Sequence, residues 1–154
     1  MTKRDAIHER LEITEAVGAR LANALISGHP ATVAYVGAEN RPRISHRGSL
    51  QRLSDRQLAM WVRNPDGGLA KALGERARIA VLYSDFSDPV RRILFNCVGR
   101  AHVEPDEDLR RTVYDNSPEL EREADPDRVG VAIVIDVDEI SGFVDGEYIQ
   151  MHRE

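Results

Sequence analysis

Cysteine is almost missing from the chain: Cys97 stands alone among 154 residues. No intrachain disulfide can form, so the expected compartment is the reducing cytoplasm. Aromatic residues are scarce at 5%, too few for a face that stacks the bases of single-stranded nucleic acid. The net charge of -5 argues the same way, because nucleic-acid backbones call for a basic surface. No apolar run approaches the ~20 residues that span a bilayer. The opening stretch, MTKRDAIHERLEITEAVGAR, is too charged to hold the apolar segment of a signal peptide. His8, His29, His102 and His152 show no spacing that makes a metal set, and no metal is expected. Repeats, low-complexity tracts and interdomain linkers are absent, so residues 1–154 read as one domain.

What is present is the composition of a globular protein, 42% hydrophobic and 31% charged. Thr2 to Asp5 can cap a helix, and Ile7, Leu11, Val17, Leu21 and Leu25 form one apolar stripe at near-helical spacing. Gly28 and Pro30 end it, which predicts a helix over 3–27. Strands are predicted at 31–36, 43–52, 57–63, 79–83, 91–103, 129–137 and 140–144, with a bend at Gly99. The unbroken apolar run 79–83 reads as a strand buried on both faces. A short helix is expected over 67–74, and acidic surface helices over 106–115 and 118–123. The first three strands follow one another without crossover helices, which excludes a parallel doubly wound sheet. The expected fold is α+β: a six- to seven-stranded antiparallel split β-barrel with flanking helices.

Two stretches carry chemistry. In RISHRGSLQR, strict alternation places Arg43, Ser45, Arg47, Ser49 and Gln51 on one face and Ile44, His46, Gly48 and Leu50 on the other. The first face is a solvated outer face or a ligand face, with Gly48 admitting something close to the backbone. In WVRNPDGGLAK, an apolar strand end runs through a doubled glycine into a helix. Asp66 can cap that helix, while Gly67 and Gly68 leave its first amides uncovered. Arg63 and Lys71 flank the turn, so two cations and several amides could converge on one phosphate. The alternative is an ordinary surface turn with solvated cations. The GxxxxGK[ST] pattern of nucleotide triphosphate hydrolysis is missing.

The segment from Thr32 to Tyr83 resembles the pyridoxamine 5′-phosphate oxidase-like family of flavin-binding split barrels. ATVAYVGAENRPRISHRG, LSDRQLAMWVRN, the turn with Lys71, and RARIAVLY carry the likeness, which extends over about 30–135. The resemblance implies an FMN site. In it Arg47 matches a cofactor-binding arginine, Gly48 and Ser49 pass the isoalloxazine ring, and Ser45 and His46 share that strand. Trp61, Arg63 and Asn64 stand beside the ribityl-phosphate, and Lys71 matches the phosphate-binding lysine. It also implies a homodimer with cofactor sites at the interface, and a small-molecule substrate. Two departures separate the chain from the true vitamin B6 oxidase. Leu69 and Ala70 stand where that enzyme has serine and arginine before its lysine, and no tryptophan follows Trp61.

No nucleophile–base pair or carboxylate dyad stands out, so catalytic residues are not assigned. Flavin chemistry does not need one, because the ring carries the redox step. The expected activity is that of an FMN-dependent oxidoreductase of unidentified substrate. The alternative is a non-catalytic flavin, deazaflavin or haem carrier or sensor on the same scaffold. Cys97, on an apolar strand, reads as a small core residue. Arg91 and Arg92 read as a charged loop within reach of a partner subunit's ligand.

Overall fold

The structure, a computed structural model, describes residues 9–154. Its element order is β1 (Glu9–Arg10), α1 (Glu15–Ala22), β2 (Ala31–Val36), β3 (Pro42–Arg47), β4 (Gln51–Ser54), β5 (Gln57–Val62) and α2 (Gly68–Glu75). After these come β6 (Arg78–Asp85), β7 (Ile93–Val103), α3 (Glu107–Asp115), α4 (Glu119–Glu123), β8 (Val131–Val144) and β9 (Glu147–His152). One antiparallel ladder runs β4-β5-β8-β7-β6-β2-β3, the seven strands of the expected split barrel. Its two end strands, β3 and β4, are joined only by residues 48–50, which is where the barrel is split. No helix among the described residues is long and apolar enough to cross a membrane.

The longest strand does the work of two. The N-terminal half of β8 pairs with β5 and its C-terminal half with β9, while β7 runs along the other side of both. The sequence breaks this strand in two at Asp138. The structure keeps it whole and takes up the extra residue as a register shift opposite Val98 and Gly99. Glycine is required at 99, because a Cβ there would lie 2.3 Å from the Asp136 carbonyl oxygen. Beyond β8 the sheet gains β9, and β1 joins β9 in parallel. The sequence reading contains neither strand.

The N-terminal helix is shorter than its apolar stripe suggests. Thr14 is the N-cap, accepting from the Val17 amide at 3.2 Å, and the helix ends at Ala22. Residues 9–14 are extended or irregular, because Leu11 and Ile13 are inserted into the core from a chain that pairs as a strand. The cap expected at Thr2 to Asp5 lies outside the described residues.

Two packed clusters explain the burial. The main core fills the barrel with Val33, Leu58, Met60, Val81, Phe95, Ile133 and Ile135, covered by Val17 and Leu21 of α1. The opposite faces of β5 and β8 offer Ala59, Trp61, Ala132 and Val134, which α3 covers with Val113 and Tyr114. That second layer accounts for the unbroken apolar run in β8. The run in β6 has a different origin. Ile79, Val81 and Tyr83 are buried, but Leu82 is exposed and Ala80 is half-buried, so β6 has one outward face rather than two inward ones. Register places Ile44, Ala34, Ala80 and Val98 in one row across that outward face. Ile44 is 74% exposed there. An apolar row open to solvent is a surface fit for a partner.

Candidate functional site

The predicted strand over 43–52 is broken, and the break builds the site. After Arg47 the chain turns, and Ser49, Leu50 and Gln51 are all buried, so the alternating face ends at Arg47. Ser49 replaces the missing strand pairing with its side chain. Its Oγ accepts from the Trp61 amide at 2.9 Å and donates to the Trp61 carbonyl at 3.0 Å. Gln51 is likewise used up, donating to the carbonyls of Ser49 and Val113. Ser49 and Gln51 therefore tie the chain after β3 to β5 and to Val113.

Ser45 and Arg47 keep to the inner side of β3. Both Ser45 Oγ and Arg47 Nε are buried without a hydrogen-bond partner. A buried unpaired polar atom costs roughly 1–3 kcal/mol and calls for an explanation. His46, one residue away, points to the outer side, where its Nδ1 meets Thr32 Oγ1 at 3.2 Å.

Arg47 opens into a pocket lined by Tyr35, Arg63, Asn64, Gly67 and Gly68, with Val62, Leu69 and Ala124 as its apolar wall. The turn after β5 is held by Asn64, whose Oδ1 accepts from the Asp66 amide at 3.0 Å. The Asn64 carbonyl accepts from Gly67 N–H at 3.2 Å. Asp66 does not cap α2. Gly67 is the N-cap, with no side chain bonded to the helix start. Helical bonding begins with Lys71 N–H to the Gly67 carbonyl, so geometry leaves the preceding amides unpaired within the helix. These amides and the positive end of the helix dipole lie where Gly67 and Gly68 line the pocket. A Cβ on Gly68 would lie 3.4 Å from the Tyr35 hydroxyl, which places that hydroxyl beside the start of α2.

Ala124, the C-cap of α4, completes the lining, and α4 itself stands behind Arg63. Sequence reading gives this helix a solvated acidic surface, but Glu121 turns inward. Its Oε2 lies 3.9 Å from Arg63 Nε, and its side chain is 18% exposed. A Cβ on Gly48 would come within 2.6 Å of Glu121 Oε1, so Gly48 makes room for this carboxylate.

Of the nine residues expected around the cofactor, the structure brings Arg47, Arg63 and Asn64 to one pocket, with Ser45 on the same side of β3. His46 faces away. Lys71 is exposed on α2 and is not among the lining residues, because one helical turn carries its side chain off the pocket rim. Trp61 is 2% exposed, and its ring packs edge-on against Tyr114 at 5.0 Å. Tyr35, Glu121 and Ala124 belong to the site without a sequence signal. Tyr35 reads as one more strand residue, and the other two come from a segment some 60 residues distant from the turn.

Trp61 supports the site from behind. Its Nε1 donates to Asp125 Oδ2 at 2.9 Å, and the amides of Val129 and Gly130 donate to the same carboxylate at 3.0 and 2.9 Å. The Tyr114 hydroxyl shares its one proton between the carbonyls of Arg122 and Asp125, at 3.1 and 3.0 Å. Arg110 lies over the Trp61 ring at 5.0 Å. Burial pushes the Asp125 carboxyl up. The bonds from Gly130, Val129 and Trp61, with Arg110 nearby, more than offset this and hold it below the usual carboxylate value. This node fixes the C-terminal end of α4, and with it Glu121 and Ala124.

No protein-family model and no curated protein matches the chain, whereas solved structures do match. HupZ of Group A Streptococcus superposes with a TM-score of 0.59 at 19% identity, covering 88% of this chain and 98% of that one. A protein from Clostridium acetobutylicum related to general stress protein 26, of the pyridoxinephosphate oxidase family, gives 0.62 at 13% identity, covering 91% and 96%. An FMN-binding protein from Syntrophomonas wolfei gives 0.61 at 13% identity, covering 83% and 89%. At these identities the likeness is one of fold. The chain has the fold of the pyridoxamine 5′-phosphate oxidase-like split barrels.

Proposed function

We propose that the chain binds FMN in the pocket between β3, α2 and α4, and acts as a flavin-dependent oxidoreductase that is not the vitamin B6 oxidase. The observation that carries this reading is the unpaired Arg47 Nε at a pocket shared by a second guanidinium, Arg63, and the uncapped start of α2. Two arginines and free amides suit a phosphate dianion, and a charge-assisted bond would satisfy the buried nitrogen. Asn64 shapes the turn, Tyr35 offers a hydroxyl at its mouth, and Val62 and Leu69 provide apolar wall for the rest of the ligand. When bound, the flavin supplies the redox chemistry. The chain's own residues bind the phosphate, orient the molecule and exclude water.

The pocket is open, and the apolar row with Ile44 exposed lies on the outer face of the sheet that carries Arg47. Both features support a homodimer in which a second copy completes each site. An absorption spectrum of the purified protein tests the cofactor, since flavin, deazaflavin and haem have distinct bands. Catalytic reduction of quinones or nitro compounds by reduced nicotinamide tests the activity. A flavin spectrum with turnover is expected. A haem spectrum, or a flavin reduced once without turnover, would overturn the cofactor or the enzyme reading respectively.

A further inference from the structure

Glu121 does not line the pocket, yet its carboxylate is kept beside Arg63, which does. We infer that Glu121, seated on Gly48, is the positioning residue that aims Arg63 at a ligand phosphate. The inference rests on the phosphate site of Arg47 and Arg63 proposed above. The two partners differ in freedom. The Arg63 side chain is 57% exposed, and among the described residues Glu121 is its one ion-pair partner. A guanidinium on so long a stem loses rotamer freedom when a ligand fixes it. Glu121 is the fixed member. Its side chain is largely buried, and its amide donates to the Pro118 carbonyl at 2.9 Å where α4 begins.

The seat itself is built. A Cβ at Gly48 would lie 2.6 Å from Glu121 Oε1 and 2.9 Å from Leu25 Cδ2, so the space a side chain would need is filled by these two residues. The family resemblance sets Gly48 against the flavin ring, whereas its packing supplies a second reason for the missing side chain. The contact with Arg63 also has a direction. Glu121 Oε2 faces Arg63 Nε at 3.9 Å, a charge contact longer than a hydrogen bond. It draws the guanidinium by its Nε edge and leaves both terminal nitrogens without a partner among the described residues. Those two nitrogens can fork onto a phosphate. A first-turn acid can also serve only the positive end of its helix, and Glu119 stands in the same turn of α4. An acid with that role alone would need neither burial nor a glycine against it.

Titration of the full chain with FMN and with riboflavin, read by flavin-fluorescence quenching, tests this role. Glu121→Gln keeps the size of the side chain against Gly48 and removes its charge. It should bind FMN about three- to tenfold more weakly than the parent, and riboflavin equally well. Arg63→Ala should then cost less FMN affinity in the Glu121→Gln background than in the parent, because part of its contribution is already lost. Gly48→Ala, which pushes the carboxylate off its seat, should reproduce the FMN loss with riboflavin spared. Loss of both flavins in Gly48→Ala, with Glu121→Gln unchanged, would give the glycine to the ring and overturn the inference. So would tighter FMN binding by Glu121→Gln, which would make Glu121 a competitor of the phosphate for Arg63. Equal FMN and riboflavin affinities in the parent would instead overturn the phosphate site itself, and this role with it.

Discussion

At the scale of single residues, the site depends on which cations reach the pocket rather than on how many flank it in sequence. Arg63 and Lys71 are equivalent in WVRNPDGGLAK, but only Arg63 lines the pocket. Lys71→Ala should therefore leave FMN affinity within about threefold of the parent. Arg63→Ala should weaken it about 10- to 150-fold, the loss of one charge-assisted bond. Flavin-fluorescence titration of the two variants separates them, and equal losses would restore Lys71 to the site. Cys97 illustrates the opposite case, a residue whose chemistry is silenced by place. Burial pushes its thiol up to about 12, so it is a neutral core side chain at physiological pH. A thiol reagent such as Ellman's should react with it only on addition of denaturant. Rapid labelling of the native protein would contradict its burial.

At the scale of elements, α4 is held in place by one carboxylate. Asp125 collects the indole of Trp61 and the amides of Val129 and Gly130, which keeps its folded pKa below the ordinary value of 3.8. A depressed folded pKa adds stability above the unfolded pKa, and that contribution is lost as pH falls through the folded value. Denaturant melts should therefore show a stability difference between parent and Asp125→Asn that is largest at neutral pH. It should shrink as pH drops below about 4. A difference independent of pH would mean that shape rather than charge matters there. Because α4 brings Ala124 to the pocket and Glu121 to Arg63, Trp61→Phe should also weaken flavin binding without touching the ligand.

The elements also mark where sequence patterns speak and where they fall silent. Central strands, α2 and the bend at Gly99 are legible because runs of apolar, β-branched residues and glycine positions are local signals. The break after Arg47 is not, since it depends on Ser49 bonding to Trp61, a contact made only in the folded barrel. The short α1 and the strands β1 and β9 are missed for a related reason. Leu11 continues a helical stripe on paper, but the edge of β9 captures the chain nearby as a strand. Arg47, Arg63 and Asn64 could be read from residue type and a family resemblance. Tyr35 and Glu121 could not, because nothing local distinguishes a strand tyrosine that lines a pocket or a surface-helix glutamate that meets Arg63.

At the scale of the whole molecule, the proposed function needs a second copy. The row of Ile44, Ala34, Ala80 and Val98 is the surface such a copy would cover. Ile44→Glu, at a position 74% exposed, leaves the monomer's core untouched. It should shift the mass by light scattering from dimer to monomer and lower flavin affinity together. A dimer that survives the charge would place the interface elsewhere.

The central claim is that the Arg47 pocket holds the phosphate of a flavin nucleotide, and a comparison of FMN with riboflavin tests it most directly. The two ligands share the ring and the ribityl chain and differ only in the phosphate. Fluorescence-quenching titrations of the parent and of the Arg47→Ala, Arg63→Ala double variant provide four dissociation constants. FMN is expected to bind the parent more tightly than riboflavin does, and the double variant to lose most of this advantage. The loss should be smaller than the sum of the single losses if both arginines grip one phosphate. Riboflavin affinity should hardly change. An FMN affinity unaltered by the double substitution, or an equal loss for both flavins, would contradict a phosphate held by these two arginines.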